Sequence, residues 1–251
     1  MKTIAIFLCD YTGKMAEPWV AAGYDVVLVD PQHPQGINIE GQTTRVGCII
    51  TDALDYLGAT IRTGRVAFVM GFPPCTDVAV SGSRWFEAKR AKDPHFQSKA
   101  ALVAEQCRMI GALSGGVWAF ENPVSVFSSI FGKPQYTFSP DQFTGHCAND
   151  NYTKKTCLWT SADFVMPGEF KDATLGAPDD RIHKCPPGPE RMNFRSATPL
   201  GFAKAVFLAN APHLKPAAND NAECNMCNGT KEGFAGPCKE CCADFYDEEA
   251  A

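Results

Sequence analysis

No stretch of this chain approaches the roughly 18 consecutive apolar residues of a membrane-spanning helix. A cationic surplus is also missing, since the formal net charge is -5 over 251 residues. A protein that grips nucleic acid over a whole face needs basic residues opposite the phosphates, so that class is disfavoured. Internal repeats and long low-complexity tracts are absent, which excludes solenoids and disordered arrays. The opening Met1-Lys-Thr-Ile-Ala-Ile-Phe-Leu-Cys-Asp10 has an apolar run but no small-residue cleavage site. It reads as a first buried strand and not as a secretory leader.

What is present is ordinary globular material, 45% hydrophobic and 20% charged, enough for one substantial domain with a small appendage. Charge is unevenly placed. Ser83 to Lys99 holds Arg84, Lys89, Arg90, Lys92 and Lys99 against Glu87 and Asp93, and the C-terminal end is acidic. A basic loop on an acidic protein suits a local nucleic-acid contact, and it equally suits a solvated loop.

The 12 cysteines fall into two sets. Seven are scattered through residues 1–185, mostly in apolar surroundings, and read as free thiols of a cytoplasmic protein. Five crowd into residues 224–242. There Cys224-x2-Cys227-x10-Cys238-x2-Cys241 has the spacing of two metal-ligand knuckles, and four thiolates close a tetrahedral zinc site. The segment resembles the zinc knuckles in the cysteine-rich region of heat-shock co-chaperones. A redox-sensitive or disulfide-bearing tail is the other reading, with Cys242 to spare. So short a tail cannot build a core, and Zn2+ would supply its folding energy. Residues 212–223 read as a linker to it.

Short apolar runs alternate with amphipathic stretches over the first half. Strands are expected at Thr3–Leu8, Asp25–Asp30, Gly47–Thr51, Val66–Met70 and Val117–Phe120. Helices are expected near 14–22, 53–62 and 97–114. This alternation predicts βαβ units and a doubly wound α/β domain with a parallel sheet buried on both faces. Residues 123–195, rich in Pro, Gly, Asn and Asp, read as an irregular substrate-facing region with one strand at Lys155–Trp159. A helix at 199–210 completes a domain spanning 1–211. In such sheets ligands sit beyond the carboxyl ends of the strands. Asp10, Asp30, Asp52, Cys75 and Glu121 each follow or end one of the five expected strands.

The sharpest local feature is Gly71-Phe-Pro-Pro-Cys75-Thr, a cysteine presented on a turn stiffened by two prolines. Its thiolate would be a strong nucleophile beside positive charge. Glu121-Asn122-Pro123 supplies a carboxyl able to act as acid or donor. Either motif alone also fits a strand-ending turn, but on adjacent strands of one sheet the two favour chemistry.

The order of these motifs resembles the cytosine-C5 DNA methyltransferases over roughly residues 3–210, in a short, phage-like form. Leu8-Cys-Asp-Tyr-Thr-Gly13-Lys-Met15 resembles the first cofactor loop, Asp30 the ribose-holding acid, and Thr51-Asp52-Ala53 the adenine-side motif. Phe72-Pro-Pro-Cys75 resembles the nucleophile motif and Glu121-Asn122-Pro123 the glutamate motif. Tyr152-Thr-Lys-Lys155-Thr-Cys-Leu-Trp159 is similar to the strand that gives a basic residue to the base pocket, and Arg195-Ser-Ala-Thr-Pro199-Leu-Gly-Phe to the closing segment. The resemblance implies a class I methyltransferase sheet, S-adenosylmethionine as cofactor and DNA as partner. It implies catalysis by Cys75, Glu121 and Lys155, with Lys154 the alternative, and cofactor contacts from Asp10, Gly13, Met15, Asp30, Asp52, Ala53 and Phe72. Tyr11 and Lys14 stand where the family usually has glycine, and Cys9 where it has an aromatic. Those departures leave open a modified donor, a non-duplex or nucleotide substrate, or a nucleotide-binding module without catalysis.

Overall fold

A computed structural model describes residues 3–186, 188, 191–211, 232–233 and 236–237. Eight strands make one sheet: β1 Ile4–Leu8, β2 Asp25–Val29, β3 Gly36–Glu40, β4 Thr43–Gly47, β5 Val66–Gly71, β6 Val117–Pro123, β7 Tyr136–Phe138 and β8 Thr156–Thr160. The helices are α1 Glu17–Ala21, α2 Leu54–Arg62, α3 Phe86–Lys92, α4 Phe96–Ser114, α5 Phe127–Ile130, α6 Arg181–Lys184, α7 Arg191–Ser196 and α8 Leu200–Asn210. The strand order is β3-β4-β2-β1-β5-β6-β8-β7. The five strands from β4 to β6 run parallel, and β3, β8 and β7 are antiparallel to their neighbours. The architecture is therefore mixed α/β with a mostly parallel sheet, compatible with a Rossmann-like fold.

The apolar runs of β1 and β5 are buried along their whole length, as strands covered on both faces require. On one face Trp19 of α1 stacks on Phe68 at 4.7 Å, with Phe207 of α8 edge-on at 5.1 Å. On the other, Leu57 of α2 and Ala104, Cys107 and Ile110 of α4 pack over Ile6, Leu8 and Val69. Gly71 closes β5 where α4 comes nearest. A Cβ there would lie 2.5 Å from the Cβ of Cys107, so only glycine lets the strand end under that helix.

The third expected strand is displaced. Gly47–Thr51 is the end of β4 and the turn into α2, and the strand itself is Thr43–Gly47, hairpinned to β3 through Gly41-Gln42. Its apolar signal came from Ile50, which is buried under the sheet's α2 side, while Ile49 next to it is exposed. The β3–β4 hairpin escapes a hydrophobicity reading because β3 is exposed at every residue. Within the region expected to be irregular, β7 and α5 to α7 are short elements, and Lys155–Trp159 is realised as β8, antiparallel to β6. Among the described residues no helix is long and apolar enough to cross a membrane. The linker 212–223 and all four expected zinc ligands lie outside the described residues. The pairing of Glu232–Gly233 with Gly236–Pro237 falls between the two cysteine pairs in sequence.

Candidate active site

The strand order reverses between β1 and β5, because the chain winds outward through β2 and β4 on one side and through β6 on the other. In open α/β sheets the ligand crevice lies at such a reversal, beyond the carboxyl ends of the strands. The expected residues divide between its two halves.

On the β1 side the chain turns sharply at Cys9, whose φ of 58° makes it the one described residue other than glycine in the left-handed region. That conformation costs an L residue about 1–2 kcal/mol, and the bond from its N–H to the Val29 carbonyl at 2.7 Å holds it there. Asp10 then folds the loop back on itself. Its Oδ1 accepts from the Gly13 N–H at 2.8 Å and the Thr12 hydroxyl at 3.1 Å. Gly13 takes φ of 67°, with Leu28 packed close behind it. The other carboxylate oxygen, Oδ2, is buried with no partner among the described residues. Burial, reinforced by the neighbouring Asp30, pushes the Asp10 carboxyl up to about 6. His33 faces the same loop, with Nε2 3.1 Å from the Asp10 carbonyl oxygen and its ring 5.6 Å from that of Tyr11. Burial lowers the His33 pKa, which favours a neutral ring donating from Nε2. Asp30 directly follows β2 and accepts from the Gln32 N–H at 2.8 Å. Asp52 is exposed in the turn after β4.

Two expected cofactor residues do not reach this crevice. Met15 is fully buried in the core beside Trp19 and Phe68, as the anchor of the loop's descent into α1. Ala53 is buried under α2, with its N–H already given to the Ile49 and Ile50 carbonyls. Phe72 lies in the other half, in the wall of a cleft with Glu121.

On the β5 side the turn Phe72-Pro-Pro-Cys75 is tied to the turn after β6. Asn122 is buried and donates from Nδ2 to the Pro73 carbonyl at 2.9 Å. The Val80 N–H reaches the Val124 carbonyl at 2.9 Å, and the Val126 N–H reaches the Val78 carbonyl at 3.1 Å. The two motifs expected to act together are thus fastened backbone to backbone. Cys75 is exposed as a residue, although its sulfur is partly shielded by the surrounding protein. Burial of its thiol and the charge of Glu121 raise its pKa, and Lys154 and Arg195 pull it down. Burial also raises the Glu121 carboxyl, with Lys154 opposing.

Glu121 lies in the wall of a narrow cleft of about 10 Å³, together with Phe72, Phe138, Lys154, Thr198 and Phe202. A space of that size holds about one water, so a ring enters only where these walls part. Lys154, not Lys155, lines it. Side chains alternate across a strand, so Lys154, Thr156 and Leu158 share the cleft face. Lys155 is exposed and acts electrostatically on Cys157, whose side chain packs on the opposite face.

The basic segment follows Cys75 directly, as a short 3-10 turn at Val80–Trp85 and then α3. Lys89 Nζ donates to the Thr76 carbonyl at 2.8 Å and pairs with Asp77 Oδ1 at 2.7 Å, clasping α3 to the nucleophile turn. Arg84 lies over the exposed Trp85 ring at 5.1 Å, leaving a cation and an aromatic face at the rim. His33 was not singled out from the sequence, and Asn122 and Arg195 entered it only as members of the Glu-Asn-Pro motif and the closing segment, with no role of their own. Asn122 was legible in principle, as the middle of the Glu-Asn-Pro motif; His33 and Arg195 lie in stretches with no strand signal.

The Asp10 carboxyl gives a testable consequence. A carboxyl raised from its usual 3.8 to about 6 in the fold binds its proton more tightly when folded. Its contribution is therefore favourable below about pH 4 and is lost as pH rises through about 6. Asp10→Asn keeps an acceptor for Gly13 and Thr12 but does not titrate. Urea unfolding is expected to find this variant about 2–3 kcal/mol more stable than the parent at pH 7.5, a gain that vanishes near pH 4. No family model matches the chain, and no curated protein matches it in sequence.

Proposed function

We propose that the chain is a cytosine-C5 DNA methyltransferase that transfers a methyl group from S-adenosylmethionine through a covalent adduct on Cys75. The observation that carries this reading is the fastening of the Cys75 turn to the Glu121 turn by Asn122 and two backbone bonds, with Lys154 in the same cleft. A thiol on the adjoining turn, a carboxyl of raised pKa and a cation beside that carboxyl match the needs of a pyrimidine whose carbon 5 is too weak a nucleophile to react unaided.

The chemistry divides among these groups. Cys75, as thiolate, forms a bond to carbon 6 of the ring. Glu121, kept protonated more readily by its burial, donates to ring nitrogen 3 and so accepts part of the electron density that arrives. Lys154 serves as a point charge for the exocyclic oxygen. Carbon 5 then carries the nucleophilic pair, takes the methyl group and loses its proton to a base, and the C6–S bond breaks to release Cys75. A base within a duplex must be turned out of the stack to enter such a cleft, and the cationic, aromatic rim of Arg84, Trp85 and α3 suits the strand left behind.

When bound, S-adenosylmethionine supplies an electrophilic methyl group. The β1 half of the site suits it on one observation: Asp10 Oδ2 is a buried acceptor with no donor among the described residues, a setting that a ligand N–H satisfies. Asp30 and Asp52 at the neighbouring strand ends are the candidates for hydroxyl and base contacts. A second reading keeps the site and changes the donor, favoured by Lys14, whose ammonium stands on the crevice loop paired with Glu17 at 2.6 Å. In that case the donor carries an anionic group.

The proposal is tested by nucleoside mass spectrometry of DNA incubated with the protein and S-adenosylmethionine. 5-Methylcytosine is expected; Cys75→Ala abolishes it, and Glu121→Gln and Lys154→Gln reduce the rate by about 10²–10⁴-fold, with Lys155→Gln near the parent rate. An unmodified product pool contradicts the reading, and a heavier C5 adduct from an anionic donor supports the second one.

Zn2+ belongs to the proposal as well. The spacing Cys224-x2-Cys227-x10-Cys238-x2-Cys241 is what supports these four cysteines as the donor set. Elemental analysis of the full chain is expected to find one zinc per protein, lost in a variant with these four cysteines changed to serine. Zinc-free parent protein, purified without chelator, refutes the assignment.

A further inference from the structure

The turns that carry Cys75 and Glu121 run on into a short antiparallel ribbon. Ala79 bridges Ser125, and both are buried. The next pair outward sets Val80 opposite Val124, joined by the Val80 N–H to the Val124 carbonyl at 2.9 Å. Opposed residues of an antiparallel pair stand side by side, so the two valines make one apolar surface. It is open to solvent, with Val80 49% and Val124 44% exposed. The ribbon is tied to the nucleophile turn as well, because the Val78 and Ala79 N–H groups both donate to the Cys75 carbonyl, at 3.1 and 2.9 Å. Val78 and Phe127 are fully buried and anchor the two arms. β-Branched side chains on so braced a ribbon lose little freedom when a partner covers them.

A single exposed valine is ordinary. This pair stands between two motifs of the site and borders a cationic segment. Lys89 and Lys99 are paired with Asp77 and Asp93, whereas Arg84, Arg90 and Lys92 make no ion pair among the described residues. Arg84 lies over the exposed Trp85 ring at 5.1 Å. On a chain of net charge -5, unpaired cations beside an apolar pair complement one partner chemistry: flat apolar rings bounded by anions, as in stacked bases and their phosphates.

We propose that Val80 and Val124 form a wedge for duplex DNA, entering the gap that one extruded base leaves in the stack, with Arg84 on the phosphates beside it. This rests on the reading of the Cys75 and Glu121 turns as a cytosine site. Proteins that open or kink a duplex insert apolar side chains between base steps. Here the bonds to the Cys75 carbonyl fix where the wedge stands, so a base displaced by it leaves the stack on the side of Cys75 and Glu121. The cleft beside Glu121 has room for about one water, and a base must be kept out of its stack while those walls part. Two valines against the neighbouring ring faces do that without using a polar group of the site.

The test uses full-length protein without S-adenosylmethionine. Binding is followed by fluorescence anisotropy on two labelled duplexes of one sequence, one intact and one with an abasic site in place of a single cytosine. The parent is expected to bind the abasic duplex about three- to tenfold more tightly, because its gap is open without unstacking a base. Val80→Ala combined with Val124→Ala is expected to lose most of that preference and to bind the intact duplex within about twofold of the parent. Arg84→Gln is expected to weaken both duplexes by a similar factor and keep the preference. A parent with no preference overturns the proposal, as does a double variant that retains it. Should the double variant fail to fold, Val80→Ile, which lengthens the wedge, is expected to hold or raise the preference, and a fall overturns the proposal. No methyl transfer enters this readout. A preference carried by the valines with no 5-methylcytosine formed refutes the proposed reaction and retains the wedge, and methylation without the preference does the reverse.

Discussion

The hydrogen bond from Asn122 to the Pro73 carbonyl is the constraint on which the site depends. Two turns leaving adjacent parallel strands ordinarily diverge, since nothing in a parallel ladder continues past the strand ends. Here the buried amide of Asn122 joins them at once, and the backbone bonds at Val80 and Val126 continue the join. Cys75 and Glu121 therefore sit at fixed separation without either being bonded to the other. Pro73 and Pro74 add stiffness by fixing φ and removing donors that would compete for the same acceptors. A buried bond of this kind is costly to lose, because removing the amide strands a buried carbonyl.

The crevice is electrically divided. Asp10, Asp30 and Asp52 gather at the ends of β1, β2 and β4, and Lys154 and Arg195 gather beyond β5, β6 and β8. Burial moves Asp10 at one end and Glu121 at the other towards neutrality, strongly enough at Asp10 to bring its carboxyl to about 6. A cationic donor entering the acidic half would restore the Asp10 charge, and an electron-rich ring entering the other half would find the cations. On the proposed reading, these halves hold donor and acceptor on opposite sides of the strand reversal.

Much of this was legible in the sequence, and the exceptions have physical reasons. The central strands announced themselves because strands buried on both faces are continuous apolar runs, as in Ile4–Leu8 and Val66–Gly71. The β3–β4 hairpin did not, because an edge strand exposed at every position carries no burial pattern. Cys75 and Glu121 could be paired by their places after successive strands. Met15 and Ala53 were assigned to the cofactor by position in a motif, but a position does not say whether a side chain points into the crevice or the core, and both point into the core. The choice between Lys154 and Lys155 turned on strand parity, which is fixed only once the register of β8 against β6 is known.

The central claim is that Cys75 attacks carbon 6 of a cytosine held by Glu121. It is met most directly by incubating the full chain with S-adenosylmethionine and DNA containing 5-fluorocytosine, whose carbon 5 cannot release a proton after methyl transfer. The account predicts a denaturation-stable complex whose crosslink maps to Cys75 and which Cys75→Ala does not form. A folded protein that binds S-adenosylmethionine and yields no such complex, or one crosslinked through another residue, would contradict it.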